Sequence, residues 1–132
     1  MENKSNEATH QRPEGDRFLN APLIEMDLNK LMQQVRNEQT WKESDRNSIT
    51  ILKSDQMRIV LIGLHKAAEL KTHSASGVIS VQVLEGKINF TAAQQTLSLV
   101  KGQMLALQEN IPHSVLASEE SFFLLTLSMT RS

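Results

Sequence analysis

The sequence predicts an all-β domain, a closed barrel or double-sheet jelly roll, preceded by an extended arm and one short α-helix. Three observations lead there. From Arg46 onward the apolar residues are rich in Ile, Val and Leu and fall into short runs broken by turn residues. About eight such runs fit into roughly 80 residues, and strands that short cannot protect their edges unless the sheet closes on itself or pairs with another. The helical period of 3.6 occurs convincingly at one place, ahead of the strands.

The runs span residues 48–53, 57–65, 78–84, 87–91, 96–100, 103–108, 113–117 and 121–129, with Gly77, Gly86 and Gly102 among the residues that separate them. Residues 59–64 and 122–127 are apolar at both alternating positions, so one face fills a barrel and the other needs the helix, the arm or a second subunit as cover. Residues 1–15 carry little to bury and read as a tail. Residues 16–46 form the arm and helix, and residues 47–132 the barrel. In the arm Phe18, Leu19, Ala21, Leu23 and Ile24 can lie on another surface, and Pro22 opposes helix. Asp27 is placed as an N-cap, and Leu28, Leu31, Met32 and Val35 share one face of a helix over 28–39. Trp41 is expected in the core, or as an anchor against a second subunit. The charged run Glu38, Lys42, Glu43, Asp45 and Arg46 reads as a solvated connection.

Composition excludes several functions. Fourteen Lys and Arg against 15 Asp and Glu leave a formal charge of −1, and aromatic residues make up 4%, so neither phosphate neutralisation nor base stacking is provided for. With no Cys, there is no disulfide scaffold, thiolate nucleophile or Cys-based metal site. The first 20 residues lack an apolar signal-peptide core, and the apolar run 59–64 is far short of the ~20 residues a membrane helix needs. No membrane partner is expected, and a cytoplasmic location is the default. The five Gly residues never take phosphate-loop spacing, and no Gly-x-Ser-x-Gly elbow occurs.

Two stretches carry a more specific signal. From Ala67 through His73, Ala75 and Ile79 to Gly86, the chain resembles the first motif of the cupin superfamily, in which Gly, His-x-His, Glu and Gly stand at these spacings. From Gly102 through Gln108 and Asn110 to Ile111-Pro112-His113 it is similar to the second, which runs Gly, Pro-x-Gly and His. The resemblance covers residues 57–129 and implies a cupin-type double-stranded β-helix, a jelly-roll barrel, commonly assembled as a homodimer.

In metal-binding cupins the two His and the Glu of the first motif and the His of the second converge on one ion. Carried over by position, His73 and His113 are kept, the second His is Ala75 and the Glu is Ile79. The leading glycine of the first motif is Ala67, and the proline and second glycine of the other are Gln108 and Asn110. A divalent transition metal needs three or four donors, and Ala75 and Ile79 supply none. If the register follows the family, Ala75, Ile79, Val81 and Val83 face inward, and Gln82 outward. The implied pocket is mostly aliphatic, holds His73 and His113 as its polar groups, and suits a small, partly apolar molecule.

The expected ligand-binding residues are therefore His73, His113, Ala75, Ile79 and Val81, with His73 and His113 the candidate metal donors and no catalytic residue assigned. Either histidine can equally be a barrel-lining remnant bonded to backbone. No cofactor is expected, although a divalent transition metal is possible. His65, in step with Leu61 and Gly63, either faces the barrel as a third donor or sits at an exposed strand end, the latter being the expectation. The reading is a non-enzymatic small-molecule-binding or structural barrel. The alternative is a metal-dependent enzyme of the dioxygenase, isomerase or decarboxylase type with a reduced histidine set.

Overall fold

The structure is a computed structural model describing residues 5, 6 and 17–129. Among these the order is β1 (Ser5–Asn6), β2 (Arg17–Phe18), α1 (Leu28–Asn37), α2 (Gln39–Glu43), β3 (Arg46–Lys53), β4 (Met57–Leu64), β5 (Glu69–His73), β6 (Ile79–Glu85), β7 (Lys87–Ala92), β8 (Gln95–Val100), β9 (Met104–Leu107), β10 (His113–Ala117) and β11 (Ser121–Ser128). Apart from residues 5 and 6, the expected tail 1–15 lies outside the described residues, as do residues 130–132. β1 pairs with β2, sheet I has the order β3-β4-β11-β6-β9, and sheet II the order β5-β10-β7-β8. All pairings are antiparallel. The two larger sheets form the expected jelly-roll barrel.

Alternation along sheet I builds a core on each face. Phe123, Leu125 and Leu127 of β11 meet Ile79, Val81 and Val83 of β6, Ile62 and Leu64 of β4, and Ile88, Phe90, Leu99, Val115 and Ala117 of sheet II. Phe122 and Leu124 turn outward and, with Ile49, Ile51, Ile59 and Leu61, pack under Met32, Val35 and Trp41. The helical segment is thus the cover that the two-faced strands require. The arm contributes Leu19, which is buried and whose carbonyl accepts from Lys53 N at 2.8 Å, while Leu23 stays 89% exposed.

Asp27 caps α1 as expected, its carboxylate accepting from Lys30 N at 3.1 Å. The helix does not continue to residue 39. Glu38 takes an extended conformation (φ −83°, ψ 151°), and α2 follows, so there are two helices where one was expected. Tertiary bonds explain the break. Asn47 of β3 donates to Val35 O at 3.2 Å and to Glu38 Oε1 at 2.9 Å, and Gln34 donates to Glu38 Oε2 at 3.2 Å. Glu38 is buried with its carboxylate satisfied, which corrects its placement in a solvated connection. Trp41 is core, 6% exposed. Within the same run, the hydrogen bond from Arg46 holds the Asp45 carboxyl below the usual carboxylate range.

β5 was not expected as a strand. Its sequence Glu69-Leu70-Lys71-Thr72-His73 lacks an apolar alternation, because it lies at the edge of sheet II and packs chiefly through Leu70. Both motif regions keep backbone that glycine favours even where glycine is absent. Ala67 has φ 74° and Asn110 φ 61°, beside Gly86 at 85°. At Gly86 the chain passes from sheet I to sheet II, and a Cβ would overlap Glu120 O and Ser121. The β7–β8 hairpin turns through Ala93 (φ 50°) and Gln94 (φ 63°), the conformation of a two-residue type I′ turn.

Stability measurements test these points. Asp27→Ala should lower the unfolding free energy by about 1 kcal/mol through loss of the cap. Ala67→Gly and Gln94→Gly, both at exposed positions with positive φ, should each raise it by about 0.5–1 kcal/mol, the relief of left-handed strain outweighing the added chain entropy. Denaturant midpoints at constant m-value decide all three.

Candidate functional site

His73 ends β5 and His113 begins β10, and the two are direct cross-strand partners in sheet II. Their rings lie 4.3 Å apart between centroids at 59°. His113 is buried and stacks at 5.3 Å on Phe90, whereas His73 is exposed. Each ring bonds through Nδ1 to the carbonyl two residues earlier, His73 to Lys71 O at 2.8 Å and His113 to Ile111 O at 3.0 Å. A carbonyl oxygen can only accept, so Nδ1 carries the hydrogen in both, and in the neutral form of either ring the lone pair lies on Nε2.

Both rings line a cavity of about 250 Å³ whose wall also includes Arg58, Ala75, Ile79, Leu125, Leu127 and Met129. The loop 74–78 closes one side. Ser128 N donates to Val78 O at 2.9 Å, and a Cβ on Gly77 would overlap Ser128 O, so the loop backbone lies directly on the end of β11.

The structure brings His73, His113, Ala75 and Ile79 to this wall. Val81 is a correction: it faces inward but is buried in the barrel core, between Leu105 and Leu125 in the sheet, and does not reach the cavity. Gln82 is exposed, as alternation requires. His65 lies on the outer face of sheet I. It stacks on Trp41 at 3.6 Å, donates from Nε2 to Trp41 O at 2.8 Å, and has Glu120 at 3.7 Å from Nδ1. It is therefore neither a barrel donor nor a free strand end. The charged cavity residue missed by the sequence reading is Arg58. Its signal was present: it is in step with Ile62 and Leu64 on β4, a cation on the apolar inward stripe.

The lining fits a resident divalent metal poorly. No Asp or Glu belongs to it, and it contains a guanidinium. Among the described residues no cluster of three or more His, Cys, Asp or Glu could hold an ion. Two imidazoles seldom retain such a cation, and a fixed positive charge in the same cavity opposes it. The chemistry offered instead is two acceptor nitrogens, one cationic donor, the serines Ser74, Ser76 and Ser128, and hydrocarbon.

No family model matches the sequence, and no curated protein does. Solved structures match its fold. A conserved protein of unknown function from Streptococcus pyogenes is 26% identical with a TM-score of 0.70, over 86% of this chain and 96% of that one. A cupin superfamily protein from Desulfitobacterium hafniense is 19% identical, also at 0.70, over 86% and 99%. A salicylate 1,2-dioxygenase from Pseudaminobacter salicylatoxidans is 15% identical at 0.70, over 83% of this chain and 36% of that one. Antiparallel sheets in this order, motif spacings in register and matches of this extent agree on one architecture: the chain has the cupin fold.

Proposed function

We propose that the barrel is a non-enzymatic module that binds a small, partly apolar molecule in the cavity beside His73 and His113. The observation that carries this reading is the cavity wall itself, in which two imidazoles with Nε2 acceptors stand among aliphatic side chains, serines and one arginine with no carboxylate. At about 250 Å³ the cavity lies below the usual range of about 300–1,000 Å³, which suits a small metabolite.

The competing reading is a metal-dependent enzyme of the dioxygenase, isomerase or decarboxylase type. Its support is the Nδ1 anchoring of both rings to carbonyls, an arrangement also used to orient metal ligands. It needs a third donor, and His65 is turned to the opposite face of sheet I. Likeness to a salicylate 1,2-dioxygenase at 15% identity extends to fold and no further.

The module is further proposed to act in the cytoplasm as a homodimer. Among the described residues no helix is long and apolar enough to cross a membrane. Val100 on β8 and Met104 on β9 are exposed apolar side chains that a second copy would cover. Light scattering on the purified chain should give twice the monomer mass, and a monomer at micromolar concentration would reject the dimer.

Elemental analysis separates the two main readings. Protein equilibrated in turn with excess iron, manganese, nickel and zinc, then gel-filtered, should retain far less than one equivalent of each. Stoichiometric retention abolished by His113→Phe would overturn the metal-free reading and favour the enzyme instead. That variant keeps the ring stacked on Phe90 while deleting Nε2, so its melting temperature should stay within a few degrees of the parent.

A further inference from the structure

The cavity contains a charge that neither the fold nor the histidines require. Arg58 on β4 is directly opposite Leu127 of β11 on one side and Lys53 of β3 on the other. Opposed residues in an antiparallel pair project to the same face, and Leu127 packs in the barrel core, so Arg58 and Lys53 stand side by side on the inner face of sheet I. Like charges so placed repel. Among the described residues neither forms an ion pair, and the cavity lining that includes Arg58 has no carboxylate. Arg58 Nε is buried and has no hydrogen-bond partner.

A buried guanidinium nitrogen without an acceptor is unfavourable, and native proteins rarely keep one unless something supplies the acceptor. The other cations near sheet I do not share this state. Arg36 bonds to Glu85, has Glu120 at 3.6 Å and lies over Phe122, and Arg46 bonds to Asp45. The unmatched charge is concentrated where the cavity is.

We propose that the occupant is an organic anion: a small carboxylate whose charge sits at Arg58, which has Lys53 opposite it on β3. Its hydrocarbon body lies against Ile79, Leu125 and Leu127, and an O–H or N–H at its far end donates to Nε2 of His73 or His113. This rests on the binding-module reading and names its ligand class. A carboxylate matches one guanidinium edge. The lining offers one guanidinium and three serines beside its aliphatic side chains, which suits the single charge of a carboxylate better than the higher charge of a phosphate.

Thermal shift and calorimetry on the full chain test it with acetate, hexanoate, benzoate and 3-hydroxybenzoate, each against its primary amide, and with inorganic phosphate. At least one acid should raise the melting temperature with concentration, and its amide should bind at least about tenfold more weakly. Arg58→Met should lose acid binding by a similar factor while the ligand-free variant melts no lower than the parent, because a buried Nε without an acceptor is removed. Arg58→Gln serves the same purpose if the Met variant fails to fold. The acid-to-amide ratio on the parent needs no variant. His113→Phe should weaken 3-hydroxybenzoate more than benzoate.

Amides binding as well as acids, or Arg58 variants retaining the acid, would overturn the anion inference and leave a neutral binding module. Phosphate binding in preference to every carboxylate would overturn the ligand class. Failure of every acid and amide to bind would overturn this inference and the binding-module reading together.

Discussion

Two adjacent phenylalanines, Phe122 and Phe123, sit fully buried on opposite faces of β11, the central strand of sheet I. Burying each side chain is worth on the order of 1.5–3 kcal/mol, and neither can be buried unless its own face is covered. That requirement organises the domain. Sheet II closes over the Phe123 side to make the barrel, and α1, α2 and the arm close over the Phe122 side. A slip of one residue in β11 would exchange the two faces and misplace everything that pairs with it.

Histidine positions follow from this arrangement. β10 lies between β5 and β7 in sheet II, which sets His113 against His73 on one side and aligns it with Ala92 on the other. Backbone carbonyls at Lys71 and Ile111 then hold both imidazoles in the same tautomer. Such rings can ligate a metal or accept a hydrogen bond, and their neighbours decide between these uses. Aliphatic Ala75 and Ile79, the absence of a carboxylate and the cation at Arg58 all weight the balance towards an uncharged or anionic partner. Cation binding would add like charge to a cavity that already has one unmatched.

The turns at the motif positions do not require glycine. Ala67 and Asn110 occupy glycine positions of the cupin pattern and still adopt positive φ. A fold held by two cores tolerates a local strain of about 1–2 kcal/mol at each such site, so the turns keep their shape as the side chains change. Spacing was accordingly a better guide to architecture than residue identity at the motif positions.

The amino-acid order alone was enough to specify the strand periodicity, the Asp27 cap, the apolar stripe of α1, the need for cover on both faces of sheet I and the replacement of two would-be donors by Ala75 and Ile79. These are local or periodic properties, expressed within a few residues of where they are read. Which alternating face turns inward is a property of strand pairing between distant segments. Only the tertiary structure, therefore, sent His65 out to Trp41, brought Arg58 into the cavity and left Val81 behind its wall. The same dependence explains Glu38, which looks solvated in sequence and is buried because Asn47 and Gln34 supply its bonds in space.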